Sequence, residues 1–197
     1  VARLGLSFAV LTTVARDDLA DGGAATIAAT VRAVRARTAG VGVEVLISDC
    51  RGDEAALSTI FEVRPDVVNH NVETVPRLQR AARPAAGYAR SLAVLAQAKA
   101  AGLTTKSGII LGLGETREEV IGTLADLRGV GVEIVTLGQY LRPTANHLPV
   151  ARWWTPGEFR DLAVLARAMG FAHVEASPLT RSSYRARRAA AAQQAGS

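Results

Sequence analysis

Cysteine is almost missing: Cys50 stands alone among 197 residues. A single thiol excludes an internal disulfide framework and any metal centre built from several thiolates of this chain. Lysine is nearly as scarce, with Lys99 and Lys106 set against 21 arginines. Together with the abundant alanine, that ratio reads as a GC-rich coding bias. Aromatic residues make up only 5%, and the basic residues are spread along the chain apart from clusters at 77–83 and 185–188. A nucleic-acid binder concentrates its cations and interleaves stacking rings, so that class is set aside. The net charge of +5 therefore reads as solvated helix surface, with an acidic protein partner as the alternative. No apolar run approaches membrane-spanning length, and the start carries no signal-peptide pattern. Met169 is the one methionine and the sequence opens on Val1, so it is expected to begin inside a longer gene product.

What is present describes a globular domain with a sizeable core, since hydrophobic residues reach 49% and charged residues 21%. The stretch from Thr104 to Glu119, TTKSGIILGLGETREE, organises the rest. Ile109, Ile110 and Leu111 form a buried-strand run, Gly112 and Gly114 a turn that lets backbone approach a ligand, and Thr116 with Glu119 a capping box. Val120, Ile121, Leu124 and Leu127 then recur at helical spacing. The same strand–helix rhythm runs throughout. Strands are expected at 8–14, 43–47, 67–68, 134–137 and 173–176. Helices are expected from Ile27 to near Gly40, around Leu57 to Phe61, from Pro76 to Pro84, from Tyr88 to Gly102, and from Phe159 to Met169 behind a Thr155–Glu158 capping box with Pro156 at the first helical position. Such alternation means a parallel sheet with helices outside, as a barrel or a doubly wound sheet. The dinucleotide fingerprint G-x-G-x-x-G after an opening strand is absent, which favours the barrel. With about six strands, it is short of a closed eight-strand barrel.

Five polar runs each follow a strand: TTVARDD, SDCRGD, NHNVET, GLGE and GQYLRP. Several such runs on one rim predict a site at the carboxyl ends of the strands. Lys106 stands out in an arginine-rich chain. It reads either as a compact ammonium wanted for function or as a drifted surface cation. His70 reads as a hydrogen-bonded core residue, and His147 and His173 have no metal-ligand spacing. Asp17, Asp18 and Asp21 read as a helix-capping loop in preference to a divalent-metal cluster.

The runs taken together resemble the lipoyl synthases of the radical S-adenosylmethionine superfamily. The resemblance rests on TTVARDDLADGGA, EVLISDCRGD, RPDVVNHNVETVPRL, TKSGIILGLGET, GQYLRPTANHLPV, TPGEF, MGFAHVEASPL and RSSYRA, almost end to end. Gly108, Ile110, Gly112 and Glu115 also resemble the pattern that this superfamily places on a strand beside the adenine. The resemblance implies a partial parallel (β/α)6 TIM-like barrel of the radical SAM type, lacking its first strand. Residues 1–184 would form the barrel with its RSSY segment, and 185–197 a basic tail rich in Ala, Arg and Gln.

It also implies a chemistry. S-adenosylmethionine at one [4Fe-4S] cluster yields a 5′-deoxyadenosyl radical that takes hydrogen from C6 and C8 of a protein-bound octanoyl chain. A second [4Fe-4S] cluster gives up the two sulfurs. The implied partners are octanoylated lipoyl-carrier domains (the E2 subunits of 2-oxoacid dehydrogenases and the glycine-cleavage H protein) and an electron donor, with no nucleic acid and no membrane. The expected compartment is the bacterial cytoplasm, with the mitochondrion as the alternative.

By resemblance, Thr13 lies near the methionine amino group, Asn71 and Glu73 beside the ribose, Gly108, Ile110 and Gly112 on the adenine side, and Ser182 is an oxygen ligand to the second cluster. Lys106 is counted with the cofactor-binding candidates. Arg181 would offset charge near that cluster, and Tyr184 would anchor the tail. The family's cysteine motifs, C-x4-C-x5-C and C-x3-C-x2-C, are absent from this sequence. Ala15, Cys50 and Ser177 also depart from the family pattern. Two other classes stand beside this one: a cluster-free lyase using Lys106 as a Schiff-base amine, and a non-catalytic domain that keeps only a carrier-docking surface.

Overall fold

The computed structural model describes residues 1–183 and Ala186. Six strands form one all-parallel sheet in strict chain order: β1 Phe8–Thr12, β2 Gly42–Leu46, β3 Val67–Asn69, β4 Thr105–Leu111, β5 Ile134–Gln139 and β6 His173–Ala176. Between them run α1 Ala24–Arg37, α2 Glu54–Glu62, the short α3 Gln79–Ala82, α4 Tyr88–Ala100, α5 Arg117–Gly129 and α6 Pro156–Ala168. The helical connections return the chain so that the next strand adds in parallel, the βαβ device repeated. β1 and β6 each have one strand neighbour, so the sheet is an open, partial barrel.

Alternation along the strands sorts side chains to two faces. Ile109 and Leu111 of β4 and Val135 and Leu137 of β5 face the helices. There they join Leu124, Leu127, Phe159 and Leu162 in one apolar cluster. A second cluster joins Val43 and Val45 of β2 to Ile27, Val31, Leu57 and Ile60. Each such fully buried side chain contributes about 1.5–3 kcal/mol. The concave face is closed at its amino-terminal end by Phe8, Val67 and Ile134. Gly42 makes room for this plug, since a Cβ there would lie 2.5 and 2.9 Å from ring atoms of Phe8. Above the plug the concave face carries Glu44, Asn69, Lys106 and Thr136, with Ile110 beside them.

The expected caps are in place. Thr116 and Glu119 close a reciprocal capping box on α5, and Thr155 and Glu158 do the same on α6 with proline in its first turn. Asp21 accepts from the amides of Gly23 (2.9 Å) and Ala25 (2.8 Å) at the start of α1, the helix-capping role expected of that loop. Two expectations change. The helix expected from Pro76 to Pro84 is only a 3-10 turn at Pro76–Leu78 followed by the four residues of α3. Pro84 forces Arg83 out of the helical region, to φ −142. β1 ends at Thr12, two residues short of the expected Val14.

Candidate active site

The chain leaving β3 does not turn away from the sheet. Glu73 adopts φ 66, its amide donates to the Gly108 carbonyl (3.0 Å), and its carbonyl accepts from the Ile110 amide (2.7 Å). This one-residue bridge to β4 holds Asn71 and Glu73 on the concave face, against Gly108 and Ile110. The family-derived grouping of those four residues is thus a grouping in space.

Asn71 is buried, and its Nδ2 donates to Ser182 Oγ at 2.8 Å and to Glu73 Oε1 at 3.1 Å. Its Oδ1 is buried without a partner among the described residues. Gly108 is needed here, since a Cβ would stand 2.8 Å from both Asn71 Oδ1 and Thr136 Oγ1. Burial pushes the Glu73 carboxyl above its ordinary range, while the Asn71 amide and the Arg83 guanidinium pull it partly back. Arg83 donates to the carbonyl of Asn71 at 2.8 Å and forms no ion pair among the described residues. Beyond Glu73, Arg83 and Ile110 opens a cavity of about 540 Å³, walled also by Leu113, Tyr140 and His147.

Gly112 has φ 114, as a glycine turn requires, but the space above it is filled. A Cβ there would overlap the Gln139 amide nitrogen and the Arg152 carbonyl. Its amide and that of Leu113 donate to the buried Glu115 carboxylate at 2.6 and 2.9 Å, and Trp154 Nε1 donates to the same group at 2.8 Å. The loop is therefore fastened from within. Thr13 lies apart: its hydroxyl donates to the Val14 carbonyl, and it lines a cavity of about 320 Å³ between β1 and α1. No hydrogen bond links Thr13 to Asn71 or Glu73 among the described residues.

Lys106 is fully buried, and so is Glu44. The ammonium donates to both Glu44 oxygens (2.9 and 3.0 Å) and to the carbonyl of Ser182, so each of its three protons has an acceptor. Asn69 Nδ2 adds a 2.8 Å bond to Glu44. A lysine so occupied is a poor Schiff-base amine, and nothing in its surroundings favours the lyase reading. It is not a surface cation either. His70 is a core residue, as its sequence context suggested. Its ring nitrogens lie 2.9 Å from the Ile47 carbonyl and 2.9 Å from Ser91 Oγ, and burial lowers its basicity. Arg181 donates to the Thr180 carbonyl at 2.6 Å; Tyr184 and the basic tail, Ala186 apart, lie outside the described residues.

Sequence reasoning missed Glu44, Arg83 and Gln139. A signal existed for the first: Glu44 is the one charged residue in GVEVL, an acid on a strand that needs a buried partner.

The Radical SAM superfamily model matches residues 1–127. The chain belongs to that superfamily. Lipoyl synthase 2 of Gloeobacter violaceus is 58% identical over 188 residues, covering 94% of this chain and 65% of that protein. Lipoyl synthase of Rubrobacter xylanophilus is 55% identical, covering 94% of this chain and 59% of that protein. Lipoyl synthase of Mycobacterium tuberculosis is 55% identical, covering 95% and 60%. The chain thus spans roughly three-fifths of the length of these curated relatives. Among solved structures, methylornithine synthase superposes with a TM-score of 0.62 at 15% identity, over 98% of this chain and 68% of that one. That likeness carries the barrel fold and nothing finer.

Membership implies S-adenosylmethionine and [4Fe-4S] chemistry. The concave face suits the nucleoside of that molecule: Glu73 and the apolar Ile110 line one wall of the cavity, and the Asn71 Oδ1 beside them is buried without a partner among the described residues. The chain's own residues do not suit the cluster. Cys50 is buried beside Gly22 with its thiol pushed up by burial, and no group of three His, Cys, Asp or Glu suited to a metal occurs among the described residues.

Proposed function

We propose that this chain is the barrel portion of a lipoyl synthase, which inserts two sulfur atoms at C6 and C8 of a protein-bound octanoyl group. The carrying observation is the meeting of two segments 111 residues apart, NHNVET and RSSY, through the 2.8 Å bond from Asn71 to Ser182. Those two segments would bring S-adenosylmethionine and the sulfur source to one place, and the identity to lipoyl synthases over 94% of the chain supports the same reading.

Two [4Fe-4S] clusters would serve it, with cysteine ligands that are not among these 197 residues. When bound, S-adenosylmethionine supplies the hydrogen-abstracting radical, and an iron–sulfur cluster supplies sulfur. The residues here do the holding. Asn71 and Glu73 would take the ribose hydroxyls, Glu73 as an acceptor whose burial keeps water out. The backbone at Gly108 and Ile110 would bear the adenine, Thr13 would lie toward the methionine amino group, and Ser182 would offer its oxygen to the second cluster. The substrates would be octanoylated lipoyl-carrier domains of E2 subunits and the glycine-cleavage H protein, with an electron donor for turnover.

The test is mass spectrometry of an octanoylated carrier domain incubated with the cluster-loaded gene product that contains this chain. A gain of two sulfurs and loss of two hydrogens is expected, and Ser182→Ala should abolish it. No sulfur gain by the parent, with 5′-deoxyadenosine still formed, would assign the chain to another radical reaction.

A further inference from the structure

The segment after β6 is docked into the barrel by its backbone. The Ser177 amide donates to the Leu137 carbonyl at 3.2 Å, and the Pro178 carbonyl accepts from the Gln139 amide at 3.2 Å. The Thr180 carbonyl then lies where a Cβ of Gly138 would be, so β5 has glycine at the crossing point. One step further, the Ser182 carbonyl reaches Lys106, whose other two protons are held by Glu44, itself bonded to Asn69. Three strands therefore contribute to one contact with one peptide oxygen, and both charges in it are wholly buried.

A buried ion pair is an uneconomical way to stabilise a fold, because desolvation offsets most of its attraction. An apolar pair of the same volume commonly does as well. Geometry is what such a pair supplies. Its three donors point in fixed directions, and only one is left for the incoming segment.

We propose that Lys106, held by Glu44, is a positioning residue that places the Ser182 segment in the barrel by its backbone carbonyl, leaving the Ser182 hydroxyl available to Asn71 or to a ligand. The proposal deepens the lipoyl synthase reading by saying how Ser182 is set in place, and it rests on that reading only for what the hydroxyl does.

The experiment is native-state trypsin digestion, following cleavage after the exposed Arg181 by mass spectrometry. Lys106→Met with Glu44→Gln removes both charges together; should it not fold, Lys106→Met with Glu44→Met replaces it. Gly138→Ala expels the segment independently, by collision with the Thr180 backbone. Both are expected to speed cleavage after Arg181 at least about tenfold, with cuts elsewhere and the circular dichroism unchanged. Ser182→Ala keeps the carbonyl and loses only the bond from Asn71, so its cleavage should rise by no more than about fivefold, the worth of one hydrogen bond. If Gly138→Ala speeds cleavage and the folded pair variant does not, the anchor is refuted whatever the enzyme does. If the pair variant releases the segment but Ser182→Ala still gives lipoyl product, the anchor stands and the ligand role of Ser182 falls.

Discussion

The turn after β4 offers a test of why its glycines are there. Gly112 sits at φ 114 and Gly114 at φ 109, so alanine at either is forced into the left-handed region, at a cost of about 1–2 kcal/mol. Their surroundings differ. The nearest atom to a Cβ at Gly114 is Ala151 Cβ at 3.7 Å, an ordinary contact. A Cβ at Gly112 would strike the Arg152 carbonyl, which is backbone, and the Gln139 amide. That amide cannot simply swing aside. It donates to the Arg152 and Tyr140 carbonyls at 3.0 and 3.2 Å, while its oxygen accepts from the Trp154 amide at 3.0 Å. Overpacking adds about 1–3 kcal/mol and a broken hydrogen bond about 1 kcal/mol. Gly114→Ala should therefore cost about 1–2 kcal/mol and Gly112→Ala about 3–6 kcal/mol, a large part of the stability of a domain this size. Urea denaturation followed by far-ultraviolet circular dichroism, with the slope checked for constancy, measures both. Equal losses would refute the internal-packing account of Gly112 and return it to a role in admitting a ligand.

Thr155→Ala removes the hydroxyl that accepts from the Glu158 amide and should lower stability by about 1 kcal/mol in the same denaturation assay. Glu119 is held down to about 2 by the Arg77 guanidinium and the Thr116 amide. Its contribution is present above the unfolded value of about 4.3 and is lost as pH falls toward 2. The melting temperatures of parent and Glu119→Gln should accordingly differ at pH 6 and converge near pH 2. A gap that persists at pH 2 would contradict this. The buried Cys50 thiol, pushed up by burial, should react with a disulfide reagent only when denaturant opens the fold; prompt reaction in buffer would contradict its placement.

The architecture was legible because apolar runs and helical faces alternate without a break, and the two capping boxes are written in the residues themselves. The partners of the polar residues in β4 were not. Thr105, Lys106 and Ser107 are polar, and the distant Glu133, Gly131, Glu44 and Val72 make their burial tolerable. The same distance hid half of the site. NHNVET and RSSY stand out as motifs, but that Asn71 meets Ser182 is a fact of the barrel's curvature. Arg83 looked like one more helix cation until Pro84 turned its backbone and aimed its side chain at the Asn71 carbonyl. Gly112 misled in the opposite sense: a glycine turn after a strand invites a ligand, yet here the protein fills the space itself.

The strict chain order of the sheet has a consequence for synthesis. Each strand pairs with the one before it, so during translation every new βα unit finds its template already emerged, and the edge advances in the direction in which the chain is made. The cluster around β2 can close before β5 and β6 exist, whereas the cluster around β5 cannot. Ser182 comes after all six strands, so it enters a lumen whose walls are already standing. Its carbonyl is the last of the three acceptors of Lys106 to be made. The interior of the barrel is thus the last part of this chain to become dry.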